Sequence, residues 1–418
     1  MRRNLRRGVA RAALLAVVAI SASAVSSGAM ARAASSGNSA ALGTKTPAKG
    51  TPVKVGFITN GVSGNIDQAI EQAVAAPTVK WLNEYGGGLG GHPIELDTCV
   101  DNADPGKAGD CASQMIQDKV AAVVIGANAV VENAWTPLHA AGLPVFIYAS
   151  ANPNIVADSA STFIMTNGRA SSFTLPAGAA KKAKAKKVSV VAIDVPAATA
   201  FFKGPAPALF QKEGLQMELI PIAPGTADMT PQMQRLASDN PKGVVYVLGN
   251  DTFCIAAFNG LRTAQFKGTI TTIPNCFSDA TRTAVPADFL KGIQIAAQAP
   301  FDDPKAEPTK QYNAVLDKYA TQDVDRSNIR GLGPFMALAG MNVATKNLKG
   351  DPTSASIIAA TKAMPWSLLP GTGLHFRCSG KADPDQPAVC SNNTYIATLD
   401  GTGKAKSYTP AGDTEIPG

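Results

Sequence analysis

The sequence predicts an α/β fold built as two parallel sheets in tandem, each covered on both faces. Three observations carry this. Apolar strand-like runs alternate with stretches of helical periodicity from Val53 onward, and the same rhythm restarts after Ser171. Runs such as 121–125 lack the polar alternation of a strand with one wet face. The 418 residues also exceed the roughly 250–300 that a single core supports.

The elements follow in order. Residues 53–58 form the first strand. Spacing of Ile66, Ile70, Val74 and Trp81 predicts a helix over 65–85, kinked or interrupted at Pro77 and ended by Gly86-Gly87-Gly88. A strand over 93–100, a helix over 107–118, a strand over 121–125, a helix over 134–141 and a strand over 144–148 complete the first series. In the second, a helix runs into the lysine cluster 181–187. Strands over 188–193, 216–222, 244–248 and 269–273 then alternate with helices over 206–213, 230–238 and 254–264. Helices over 309–319, 334–348 and 354–362 and β-rich segments over 374–378 and 395–399 close the chain.

The net charge of +7 is local. Six of the 38 basic residues (Arg2, Arg3, Arg6, Arg7, Arg11 and Arg32) stand in the first 33 positions, which contain no acid. The remainder carries 32 basic against 31 acidic residues, so no broad positive field is left for nucleic acid. Residues 1–33 read as a secretory signal peptide. They have an arginine-rich start, a nine-residue apolar run at 12–20, and small-x-small sites at Ala29-Met30-Ala31 and Ala31-Arg32-Ala33. That run is too short to span a membrane, which takes about 20 residues. No cysteine precedes Cys99, so a lipid-modified N-terminal cysteine is not expected. Residues 34–51, small and polar with Pro and Gly, are expected to be a flexible leader. The mature chain is therefore expected to be soluble and exported, whether secreted, periplasmic or held in the cell envelope.

The six cysteines suit an oxidising compartment. Their spacing offers three local couples, Cys99–Cys111, Cys254–Cys276 and Cys378–Cys390, among fifteen possible pairings. A zinc site is the rival, but no CxxC occurs and His92, His139 and His375 are scattered.

Motif letters point away from catalysis. Gly86-x-Gly88-x-x-Gly91 spells a dinucleotide fingerprint, but it follows a helix and opens a strand, the reverse of what pyrophosphate binding needs. No GxSxG, Walker loop or HExxH is present, so neither cofactor nor metal is expected. The lysines of 181–187 resemble a nucleic-acid patch, yet they sit where a helix end favours cations. The promising places are the loops at the carboxyl ends of the strands, where open α/β sheets bind ligands. In the first sheet these hold Asn60, then Ala127, Asn128 and Ala129, then Tyr148, Ala149, Ser150 and Ala151. In the second they hold the 196–202 loop with Phe201, then Asn250 and Asp251, then Asn275. N–H groups at the helix start near Asn128 suit a carboxylate, and the aromatic residues suit an apolar wall. Plain turn chemistry explains any one of these residues equally well.

The stretch KWLNEYGGGLGGHPIELDTCVDNADPGKAGDCASQMI, then KVAAVVIGANA, then GLPVFIYASANPNI, and GLQMELIPIAPGTADMTPQMQRLASDNPKGVVYVLGN form an ordered series. It resembles the type I periplasmic binding proteins of the branched-chain amino-acid (Leu/Ile/Val) group, over about 52–408. The resemblance implies two Rossmann-like lobes joined by three crossing segments, near Ala170, Gln298 and Asn393. It implies lobe 1 over 52–170 plus 299–392 and lobe 2 over 171–298 plus 393–409. It implies a monomer that closes on a small, amino-acid-like solute and delivers it to the permease subunits of an ABC importer. The same fold used as a ligand sensor for a membrane signalling partner is the alternative, and an exported enzyme the third. Residues 127–130 and 149–151 match the family's first-lobe contacts to an amino acid. Phe201 falls near a common Tyr, Ala151 replaces the usual Thr, and Cys276 falls near the acid that pairs with the ligand's ammonium. If Cys276 is tied to Cys254, only Asp251 or Asp279 remains to substitute. These departures argue against an ordinary branched-chain amino acid and leave a less cationic or more aromatic ligand equally open.

Overall fold

The computed structural model describes residues 40–64, 66–326 and 328–418. The expected signal peptide and the start of the leader lie outside the described residues. The first sheet has five parallel strands: β1 (Val53–Thr59), β2 (Ile94–Val100), β3 (Ala122–Ile125), β4 (Val145–Ile147) and β5 (Thr162–Ile164). Their spatial order is β2-β1-β3-β4-β5. The second sheet repeats that order with β6 (Lys187–Ile193), β7 (Gln216–Ile222), β8 (Val244–Leu248), β9 (Thr269–Thr272) and β10 (Gln294–Ala297), arranged β7-β6-β8-β9-β10. Antiparallel β11 (Thr394–Leu399) and β12 (Ala405–Ala411) extend it past β10. All four residues of β3 are buried, as are four of the five in β8, so helices cover both faces. In this strand order the direction in which successive strands are added reverses between the first and third strands of each sheet. Ligand crevices form there.

The chain passes between the sheets three times: after β5 through a short π-type turn at Ala170–Thr174, after β10, and before β11. Between the last two passages, helices return to the first sheet. Ile329–Ala344 packs against Ala69–Tyr85, β3 and β4, and every residue in it except Asn342 and Val343 is buried. Residues 388–390 then lie along the edge of β5, with Cys390 N–H donating to Ile164 O at 2.8 Å.

Several expectations need correction. Pro77 does not interrupt the helix, which runs unbroken over Ala69–Tyr85. Val62–Ser63 instead pairs antiparallel with Ile66–Asp67, and Gly64 beside them has a φ of +54°. The expected helix over 334–348 begins earlier, at Ile329, because Asn328 caps it by accepting from Arg330 N–H. The expected loop at 196–202 is a helix, Pro196–Lys203, with proline at its first turn. Strands β5, β10 and β12 were not anticipated; they are short or poor in β-branched residues, and their neighbours hold them. The second half of the leader is docked rather than loose. Leu42 is buried, its carbonyl accepts from Trp81 Nε1 at 3.0 Å, and Lys45 pairs with Glu84 at 2.7 Å.

All three local disulfides are present. Cys99–Cys111 ties β2 to the helix Pro105–Gln117, and Cys254–Cys276 ties the helix Asp251–Thr263 to the turn after β9. Among the described residues no helix is long and apolar enough to cross a membrane.

Candidate functional site

The loops at the carboxyl ends of β1, β3, β4, β6, β8 and β9 meet around one cavity of about 220 Å³. Asn60, Ala127, Asn128, Ala129, Tyr148, Ala149, Ser150 and Ala151 line it from the first lobe, Asn250 and Asn275 from the second. Two anticipated residues do not. Phe201 is turned away because neighbouring positions on a helix diverge by about 100°. Phe202 faces the cavity instead, and Phe201 packs edge-on against it at 5.1 Å. Asp251 is outside the lining and pairs with Arg330.

The floor consists of polar groups that satisfy one another. Asp101, fully buried, accepts from Asn60 Nδ2 at 2.6 Å, Asn128 Nδ2 at 2.5 Å and Ala103 N–H at 2.9 Å. The remaining oxygen of Asn60 accepts from Ala129 N–H at 2.8 Å, and that of Asn128 from Val130 N–H at 2.8 Å. Ala127 N–H donates to Glu71 at 2.6 Å. The N–H groups of Ala127, Ala129 and Val130, expected to hold a ligand's carboxylate, are thus engaged by side chains of the protein. Glu71 itself receives Thr59 Oγ1 at 2.5 Å and is fully buried; burial, the dominant cause, pushes its carboxyl up to about 8. Gly126 makes this possible, since a Cβ there would stand 2.1 Å from Glu71 Oε2.

Ile66, Ile193, Val195, Phe202, Leu248 and Ile273 form apolar walls. Tyr148, raised to about 12 chiefly by burial, lies beside Asn275 of the other lobe. Tyr246 lies beside the hydroxyls of Ser171 and Ser172, and burial raises its phenol as well. Arg330 is 4% exposed and reaches Asp251 across the cleft with both terminal nitrogens, each at 3.3 Å. Ser278 Oγ donates to the same carboxylate at 3.0 Å. Cys276 is in its disulfide, Asp279 pairs with Arg282 and Asp251 with Arg330, and among the described residues no carboxylate lines the cavity.

Sequence reasoning missed Gln68, Ser171, Ser172, Tyr246, Gln298 and Arg330. One signal was legible: Arg330 is the lone charge in the apolar run 329–341. His139 and His375 each lie beside an aspartate, Asp158 at 3.4 Å and Asp413 at 3.3 Å, but neither lines the cavity. Among the described residues no cluster could hold a metal ion.

A family model described as periplasmic binding protein matches residues 52–404. No curated protein matches the chain. Solved structures match in fold. A branched-chain amino-acid ABC transporter protein from Thermus thermophilus with bound valine aligns at TM-score 0.72 and 14% identity, over 89% of this chain and 98% of its own. The isoleucine complex of LivJ from Streptococcus pneumoniae aligns at 0.65 and 16%, over 86% and 99%. An R. palustris solute-binding protein in complex with 4-hydroxybenzoate aligns at 0.66 and 20%, over 87% and 97%.

Proposed function

The chain belongs to the periplasmic binding protein family, and from that premise we propose that it is exported as a soluble monomer and captures a small organic solute lacking an ammonium group. The solute lies between the lobes and passes to the permease subunits of an ABC importer. The lining supports the ligand class: among the described residues it contains one cationic side chain, Arg330, and no carboxylate. Burying an ammonium there without a partner costs several kcal/mol. The apolar walls and small alanine-rich loops accept a compact hydrocarbon or aromatic body. Similar structures hold valine, isoleucine or 4-hydroxybenzoate, and this lining suits the last of these chemistries.

The test is calorimetry on the mature protein with matched pairs, such as valine against isovalerate and 4-hydroxyphenylglycine against 4-hydroxyphenylacetate. The acids lacking the amine should bind and the amino acids should not. Tight binding of valine or isoleucine, with none of the deaminated acids, would overturn the reading.

A further inference from the structure

We propose that Arg330, with Gln68 and Gln298, is the polar recognition set of the cavity and selects a carboxylate-bearing solute that also carries a hydroxyl or N–H donor. The proposal rests on the reading of the cavity as a solute site, and adds the residues and chemistry that choose the solute.

Beside the Tyr246 hydroxyl, which is unpartnered and faces Ser171 and Ser172, three further buried polar atoms of the lining have no protein partner: Nε of Arg330, Oε1 of Gln68 and Oε1 of Gln298. Their residues are 4%, 8% and 8% exposed, so bulk solvent does not compensate them. A buried donor or acceptor left unmade is expensive, and native proteins keep few. By contrast Asn60, Asn128, Glu71 and Asp101 beneath them are satisfied by the protein itself.

The atoms differ in kind. Arg330 Nε–H is a charged donor and suits an anionic oxygen. Asp251 does not saturate this guanidinium, because its contacts at 3.3 Å are long for a charge-assisted pair, which closes to about 2.7–2.9 Å. The amides of Gln68 and Gln298, through oxygen as placed, accept from a hydroxyl or N–H. Arg330 and Gln68 come from the first lobe, and Gln298 from the passage between lobes, so one ligand touching all three also bridges the closing parts.

The test uses the mature protein and four probes of one shape: 4-hydroxybenzoate, benzoate, 4-hydroxybenzamide and benzamide. In the wild type each acid should bind at least about tenfold more tightly than its amide. The hydroxyl should add about a further threefold or more. The charge-balanced pair Arg330→Gln with Asp251→Asn should bring acid and amide within about threefold. Arg330→Lys, which keeps the charge without Nε, should retain only part of the preference. Gln68→Met and Gln298→Met should erase the gain from the hydroxyl. Equal binding of acid and amide by the wild type, or an unchanged preference in a folded double variant, would overturn this inference and leave the proposed function standing. Binding of none of the four probes, with tight binding of amino acids, would overturn both.

Discussion

Two buried carboxyl groups beneath the cavity show how one side-chain type is used in opposite ways. Asp101 is surrounded by three donors and organises the loops after β1 and β3. Glu71 has two donors and complete burial. Arg330 lowers its pKa, Asp101 raises it, and Tyr148 lies nearby, yet burial dominates. Folded Glu71 keeps its proton up to about 8, whereas unfolded it loses it near 4.5. Between those values the native state binds more protons, so Glu71 makes stability fall as pH rises through that window. Glu71→Gln keeps the shape and cannot ionise. Its melting temperature should overtake the wild type's as pH goes from 5 to 9 in calorimetric scans, whereas parallel profiles would contradict the assignment. Asn128→Ala removes one donor from buried Asp101 and should cost about 1–3 kcal/mol in urea unfolding. Asn60 and Asn128 were legible as cleft residues by their place after strands. Their use as framework was not, because it depends on Asp101, 41 and 27 residues away.

At the scale of elements, the site is positioned by helix starts and by cross-links. Asn328 begins the helix Ile329–Ala344 early enough to place Arg330 at the cleft, and Asn250 caps the helix that presents Asp251. The Cys254–Cys276 disulfide fastens that second helix to the turn carrying Asn275. A loop of this size should stabilise by roughly 3 kcal/mol in the chain-entropy model. Cys254→Ala with Cys276→Ala should therefore lose about that much or more, measured by denaturant unfolding. Thiol titration of the denatured wild type without reductant should find no free thiol. The cysteine couples were readable because their separations are short. The helix Pro196–Lys203 was not, since eight residues that include Phe201 and Phe202 read equally well as a ligand loop.

For the whole molecule, Arg330–Asp251 joins the lobes across the cleft. A ligand can shift the open–closed balance only by its differential affinity, and moving from 1:99 to 99:1 takes about 5.5 kcal/mol. On the proposed closing of the lobes, the Arg330–Asp251 contact supplies part of that without ligand. Asp251→Ala should accordingly give a larger radius of gyration than the unliganded wild type in X-ray scattering, with saturating ligand narrowing the difference. An identical radius in both unliganded proteins would remove the bridge from the closing mechanism. The docked leader belongs to this scale as well. A chain beginning at Thr51 loses the burial of Leu42 and the contacts to Trp81 and Glu84. It should unfold more easily by about 1.5–3 kcal/mol.

The sequence by itself determined the two α/β sheets, the three cysteine couples and the loops that meet at the cavity. Each of these is written in short-range signals: apolar runs, periodicity, and spacings of 12 or 22 residues. Only the tertiary structure decided which polar groups in those loops are already engaged and which face the cavity unpartnered. Arg330 and Asp251 lie 79 residues apart, and Asn60 finds Asp101 across 41. A hydrogen bond depends on where its partner stands in space, and no local pattern of residues encodes that.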